Sequence, residues 1–377
     1  MEMRIAMNTD KRNNRKETVR KDGVISSFLH SHFFHITFLI SHLLLFAACS
    51  SIDDDLSDCP ADEAQYQMEY ELKLVTNMTT ELQTELKTIT ELSVASALET
   101  HLENIFSDFA HDVNLSFYDT ETTKERLEHR VDIINTNQTT YDLTLPMRKY
   151  LHLAVANIAE NHVVGLFKDD HSPTSMLQQA EGSVPSGSSH TIVDSHTTGL
   201  FTARQPMEVL SGVSQTFNVR LYMANSAATL VLDPKGHTFK DIRVYATGFA
   251  KEFHISDSTY VFPTISPLIR ADKVETGNDL LCYCTVNFPS PDAVPASSAK
   301  RRADEETPLW QIKVYLTKTD DSVTETVLDI TEPLKAGNLK IIKGALDDEG
   351  AVRPYDSTVG VSVTLDWNKG GTYDPEL

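Results

Sequence analysis

Short stretches in which apolar and polar residues alternate, each closed by a turn signal, fill most of the second half of this chain. Phe217-Asn-Val219-Arg-Leu221 and Ile312-Lys-Val314-Tyr-Leu316 are representative. A period of two puts every second side chain on one face, which suits a half-buried strand and not a helix. On this basis strands are expected at 216–223, 227–232, 241–248, 259–262, 280–288, 309–318, 323–330, 338–343 and 359–367. Earlier, Met68, Tyr70, Leu72 and Leu74 alternate with Gln67, Glu69, Glu71 and Lys73, and strand patterns return at 113–118, 141–146 and 151–157. One segment changes period. Over 89–110, Ile89, Leu92, Leu98, Leu102, Ile105, Phe106 and Phe109 fall at helical spacings, with Glu91, Glu99, Glu103 and Asp108 opposite, which predicts an amphipathic helix. Many short strands with one helix imply a mainly all-β fold of β-sandwich domains.

Periodicity is poor from His162 to about Gln215, and Ser183 to Ser189 reads as a loop. A junction within 207–214 divides the chain into domains at 63–212 and 213–377. Pro289, Pro291, Pro295 and Pro308 flank the run Lys300-Arg301-Arg302-Ala303-Asp304-Glu305-Glu306, an expected exposed loop open to proteases.

The N-terminal region reads as an address. An apolar run from Phe33 to Phe46 follows a segment with Arg4, Lys11, Arg12, Arg15, Lys16, Arg20 and Lys21. Its length fits a signal-peptide core; a membrane-spanning helix needs roughly 20 residues. It ends in Leu45-Phe46-Ala47-Ala48-Cys49, which resembles a bacterial lipobox. Small Ala47 and Ala48 let a peptidase approach the bond before Cys49, whose thiol would then carry the lipid. Residues 1–48 are thus expected to be a lipoprotein signal peptide and 49–62 a lipidated tether. The acidic run Asp53-Asp54-Asp55 resembles the export signal of surface lipoproteins of the Bacteroidota.

The segment before Cys49 holds seven Lys and Arg against four Asp and Glu, so the 329 residues from Cys49 onward carry 26 basic and 50 acidic residues, a net charge of −24. Such a surface repels nucleic acid and anionic lipid and keeps an exported chain soluble. The remaining cysteines are Cys59, Cys282 and Cys284. Cys282 and Cys284, two apart in a strand, share a face and are poorly placed to bond each other. One of them could pair with Cys59 in an oxidising compartment, or all three could be buried thiols.

No catalytic constellation is visible. The chain lacks a Gly-x-Ser-x-Gly elbow, a His-Glu-x-x-His motif and a phosphate-cradling glycine loop. No enzyme activity, cofactor or metal is expected. His101 and His111 are ten residues apart on the expected helix, roughly 15 Å along its axis and too far to share an ion. His190 and His196 read as solvated loop residues, and Asp320-Asp321 and Asp347-Asp348-Glu349 as solvated turns without EF-hand spacing.

Cys49-Ser-Ser-Ile-Asp-Asp-Asp-Leu56-Ser-Asp58-Cys59-Pro60 resembles the mature N-terminus of the fimbrillin-A-associated anchor lipoproteins of Bacteroidales, the FimB-like group of type V fimbriae. Leu115-Ser-Phe117-Tyr118-Asp119, Leu153-Ala-Val155-Ala156-Asn157 and the segment from Phe217 to Leu232 look like further family segments. The long leader and the helix at 89–110 depart from the pattern. The resemblance implies two tandem transthyretin-like β-sandwiches, a lipid on Cys49 and a place on the outer membrane. It also implies fimbrial (pilin) subunits as partners through strand complementation, and a role in cell adhesion. In type V assembly a subunit loses its N-terminal strand to proteolysis and a neighbour's strand fills the groove. If 66–75 were never removed, the groove would stay filled and the shaft would end at this subunit. The segment 359–377 would be the part offered to a neighbour. The alternative is a surface lipoprotein binding glycan or another ligand, with Trp310 and Trp367 as candidate aromatic contacts, although both fall in strand patterns.

Overall fold

The computed structural model describes residues 65–75, 92–106, 112–121, 126–132, 138–165, 173–185, 189–293 and 307–366. Cys49, Cys59, His111, the protease-prone run 300–306 and Trp367 lie outside the described residues, as do the leader and tether.

The alternating segments form strands. β1 (Gln65–Val75) precedes the helix α1 (Leu92–Phe106), which is followed by β2 (Asp112–Asp119), β3 (Arg126–Asp132), β4 (Gln138–Pro146) and β5 (Lys149–Ala156). The stretch of poor periodicity holds three strands, β6 (Thr174–Met176), β7 (Ile192–Asp194) and β8 (Phe201–Glu208). Then come β9 (Thr216–Met223), β10 (Ser226–Asp233), β11 (Asp241–Thr247), β12 (Glu252–His254), β13 (Thr259–Val261), β14 (Leu268–Arg270), β15 (Asp272–Val274) and β16 (Leu281–Asn287). The last five are β17 (Trp310–Thr317), β18 (Val323–Ile330), β19 (Leu339–Leu346), β20 (Val352–Pro354) and β21 (Gly360–Asp366). The mainly all-β class expected from the sequence is the one observed.

A seven-stranded sheet has the order β3-β2-β5-β8-β9-β1-β4. A five-stranded sheet, β15-β16-β10-β19-β20, and a six-stranded sheet, β21-β18-β17-β11-β14-β7, follow, with β13-β12-β6 as a small fourth sheet. The five-stranded sheet is the middle layer. On β10, Ala227 and Val231 face a core shared with α1 and the seven-stranded sheet, while Ala228, Leu230 and Leu232 face a second core shared with the six-stranded sheet. Burial on both faces explains why Ser-Ala-Ala-Thr-Leu-Val-Leu shows little polar alternation. In the seven-stranded sheet β1 buries one alternating set, Met68, Tyr70 and Leu72, whereas the central β2 and β5 are buried at nearly every residue.

The helix buries Val94, Leu98, Leu102 and Ile105, spaced four, four and three residues apart. Leu92, expected on that face, is 84% exposed. Val94 takes its place, because a stripe through Leu98 and Leu102 runs back to position 94.

Pairing crosses positions 212/213 in both directions. β9 lies beside β1 in the seven-stranded sheet, whereas β6 pairs with β12 and β7 with β14. Residues 64–377 form one compact unit.

Candidate functional site

The first strand is the element that the resemblance makes functional, and it is held from both sides. β1 runs antiparallel to β4 from Gln65↔Pro146 to Lys73↔Gln138, and parallel to β9 from Glu69↔Thr216 to Val75↔Tyr222. Its central side chain, Tyr70, is fully buried. The Tyr70 hydroxyl lies 2.7 Å from Nε2 of His152 on β5. The other ring nitrogen, Nδ1, lies 3.0 Å from the carbonyl oxygen of Ser116 on β2. A carbonyl only accepts, so Nδ1 carries the proton and Tyr70 donates to Nε2. Phe117 stacks on the imidazole at 4.3 Å. Burial pushes His152 down to about 4, outweighing the Ser116 carbonyl, which favours the charged ring. Burial, and then the nearby Tyr141, push the Tyr70 phenol well above its ordinary value. The imidazole is thus neutral at physiological pH and ties β1, β5 and β2 together.

At the other end of the chain, β21 is an edge strand. It pairs with β18 from Val323↔Asp366 to Asp329↔Gly360. Val361 is 37% exposed, and Gly360, Ser362 and Thr364 are also exposed, so this strand is held mainly by its ladder. Edge strands of this kind can accept another chain.

The cysteines are placed as a same-face pair. Cys282 and Cys284 on β16 are fully buried free thiols in the core beneath α1. Burial pushes the Cys282 thiol up to about 12 and raises Cys284 further, with Thr229 Oγ1 donating to Cys284 Sγ at 3.3 Å. Such thiols are poor nucleophiles. Cys59, the third member of the possible disulfide set, and the lipidation residue Cys49 lie outside the described residues.

His196 corrects the reading of 190–196 as solvated loop. It is buried, its ring edge meets Phe288 at 4.9 Å, and its backbone N–H donates to Val286 O. Burial, with a smaller push from His162, lowers it to about 4. The residues around it form a buried polar seam. Asn157 Nδ2 donates to Gly199 O, Asn161 Nδ2 to Asn157 O, Ser175 Oγ to Asn161 O, and Ser195 Oγ accepts from the Val286 N–H. These bonds satisfy backbone groups where the chain leaves one sheet for another. His101 is half-buried, and burial lowers its pKa. Asp347 accepts from the N–H groups of Glu349 and Ala351 and from Arg353, as a turn carboxylate does. Among the described residues no three His, Cys, Asp or Glu groups form a metal site.

Trp310 is a core residue. It is 1% exposed, packs against Phe249 at 5.3 Å, and donates its indole N–H to Glu332 O at 2.9 Å. It offers no aromatic face to a ligand.

The outer face of the seven-stranded sheet carries an arrangement that sequence reading missed. The β8–β9 ladder covers only Phe201↔Met223 and Thr202↔Tyr222. Beyond it lies a cleft of about 470 Å³, lined by both strands and by the β12–β13 hairpin. Arg204 and Arg220 line this cleft, and Lys73 is the parallel partner of Arg220 on β1. Each residue was visible as an outward position of its own strand. Their juxtaposition depends on β1 lying beside a strand some 145 residues later, which no local pattern encodes.

The described residues define a layered all-β protein with one helix, and among them no catalytic or metal constellation. No family model matches the chain, and no curated protein matches it. Among solved structures it is similar to a candidate adhesin from Bacteroides ovatus, with 14% identity, a TM-score of 0.46, and 74% of this chain and 86% of that one covered. It is similar also to the tip fimbrial protein Mfa3 of Porphyromonas gingivalis with a C-terminal truncation, at 11% identity and a TM-score of 0.40 over 80% of this chain and all of that one. A fimbrial assembly protein from Parabacteroides distasonis matches at 11% identity and a TM-score of 0.38, again over 80% of this chain and all of that one.

Proposed function

We propose that this chain is an outer-membrane lipoprotein that anchors or terminates a fimbria, joined to the membrane by a lipid on Cys49 and to pilin subunits by strand complementation. The observation that carries the reading is the seating of β1. This strand follows the lipobox and acidic tether, and it sits inside its sheet with ladders on both sides and Tyr70 locked to His152. A subunit that keeps this strand has no groove for a neighbour's strand, so growth stops on that side. The edge strand β21 and the residues after it are the part offered to the shaft, by main-chain pairing with side chains in alternate pockets. The units proposed as domains, 63–212 and 213–377, exchange strands across their junction, which would make them move as one body.

Deleting 368–377 tests the donor half of the proposal. The shortened chain is expected to fold, with unchanged circular dichroism and melting, and to be lipidated, but to lose co-purification with sheared fimbriae. Attachment at the wild-type level would refute it.

A further inference from the structure

We propose that the cleft on the outer face of the seven-stranded sheet, between β8–β9 and the β12–β13 hairpin, is a binding site for an acidic oligosaccharide. It is independent of the fimbrial reading, since it rests on the folded sheet alone.

Lys73 on β1 is the parallel partner of Arg220 on β9. Continuing the β8–β9 register from Thr202↔Tyr222 places Arg204 opposite Arg220. All three are exposed and belong to the outward set of their strands. Neighbouring paired strands are ~4.8 Å apart, so Lys73 and Arg220 stand side by side, and Arg204 lies across the cleft from Arg220, where β8 and β9 have parted. Among the described residues none of the three has an ion-pair partner. Arg204 Nε donates to Ser256 O at 2.6 Å, which ties it to the turn of the hairpin and leaves the rest of its fork to face the cleft.

Lys73 beside Arg220, with Arg204 across the cleft, is costly for the fold, because like charges on facing strand positions repel. The three cations are also against the grain of this chain, whose formal net charge is −21. An overall acidic surface repels anions in general, so these three cations mark a place on the sheet where an anion is attracted. Carboxylates on the same face lie further along the strands. Glu71 is two residues from Lys73, roughly 7 Å away, and Glu69 and Glu208 are about 13 Å from Lys73 and Arg204 in turn.

The rest of the cleft decides which anion. Tyr222 is 52% exposed and stands next to Arg220 on the outward face, presenting an amphipathic ring. Asn218 and Ser258 add an amide and a hydroxyl. A volume of about 470 Å³ is in the range of small-ligand sites. A flat ring, amide and hydroxyl groups, and guanidinium forks that match planar or tetrahedral oxyanions together suit a sugar chain bearing carboxylate or sulfate groups. An acidic peptide presents carboxylates but no sugar hydroxyls to Asn218 and Ser258, and poly-glutamate is the comparison that separates the two.

The test is calorimetric titration of the full chain with a chondroitin sulfate octasaccharide and with an alginate oligomer, which carries carboxylates only. Neutral dextran and poly-glutamate of similar length are the comparisons. At least one acidic saccharide should bind, weakening at least tenfold on raising salt from 50 to 300 mM, and dextran should not. Arg220→Gln should weaken binding at least tenfold and Tyr222→Ala several-fold, both with unchanged melting curves because both side chains are exposed. Lys73→Gln serves as a further exposed variant, expected to weaken binding three- to tenfold. Binding to neither acidic saccharide would overturn the proposal. So would binding indifferent to these variants, or poly-glutamate binding as tightly as the saccharides.

Discussion

Lowering the pH from about 6.5 to about 4 will destabilise the folded chain by on the order of 3 kcal/mol for each of His152 and His196. The sign follows from where each state binds protons. In the unfolded chain these imidazoles titrate near 6.5; in the folded chain burial holds both at about 4. Between those values the unfolded state is protonated and the native state is not, so stability falls with falling pH. Above about 6.5 the contribution is complete, and below about 4 these two groups cause no further loss. Protonating His152 removes the lone pair that accepts from Tyr70, so that bond must reverse, with Nε2–H donating to the phenol oxygen, and the ring charge is left buried beneath β1. Urea midpoints measured from pH 7.5 to 4 should drop across this window, and His152→Gln should flatten part of the slope. A midpoint independent of pH between 6.5 and 4.5 would contradict the burial of both rings.

Trp310→Ala will cost about 3–5 kcal/mol, the largest loss expected from a single side chain in the second core. Trp310 heads the fully buried residues by volume and touches Phe249. The backbone beside it has no slack. A Cβ built on Gly248, whose φ is +95°, would come within 2.7 Å of the Trp310 Cα and 2.8 Å of Leu309 O. The neighbouring chain therefore cannot easily close over the cavity. Trp310→Phe should cost less, losing the hydrogen bond to Glu332 O and some packing. Denaturant unfolding of the three proteins measures both steps. A ligand-contacting tryptophan would give near-native stability in the alanine variant, and that result would remove Trp310 from the core.

How much was legible depended on whether the signal was local. Strands facing one core, such as 216–223 and 323–330, match their observed limits because alternation is written within eight residues. The short strands β6, β7, β12, β14 and β15 have three residues each, too few for a period to show. β8 does alternate in burial, but Pro206 has no N–H and reads as a break. His196 looked solvated because its neighbours Ser195 and Thr197 are polar; its burial comes from Phe288, 92 residues away. Tyr70 with His152, and Lys73 with Arg220 and Arg204, are meetings of distant strands. Their residue types could be read from the sequence, but the register that joins them could not.

The central claim, a lipid-anchored fimbrial subunit, is tested most directly by labelling cells with a radioactive fatty acid and comparing wild type with Cys49→Ala. Intact cells would be probed for surface exposure and sheared fimbriae for this protein. The account predicts that the variant loses the label and that its fimbriae are shed from the cells. Label retained in the Cys49→Ala protein would contradict the lipid anchor, and absence of fimbrial material carrying this protein in wild type would contradict the fimbrial role.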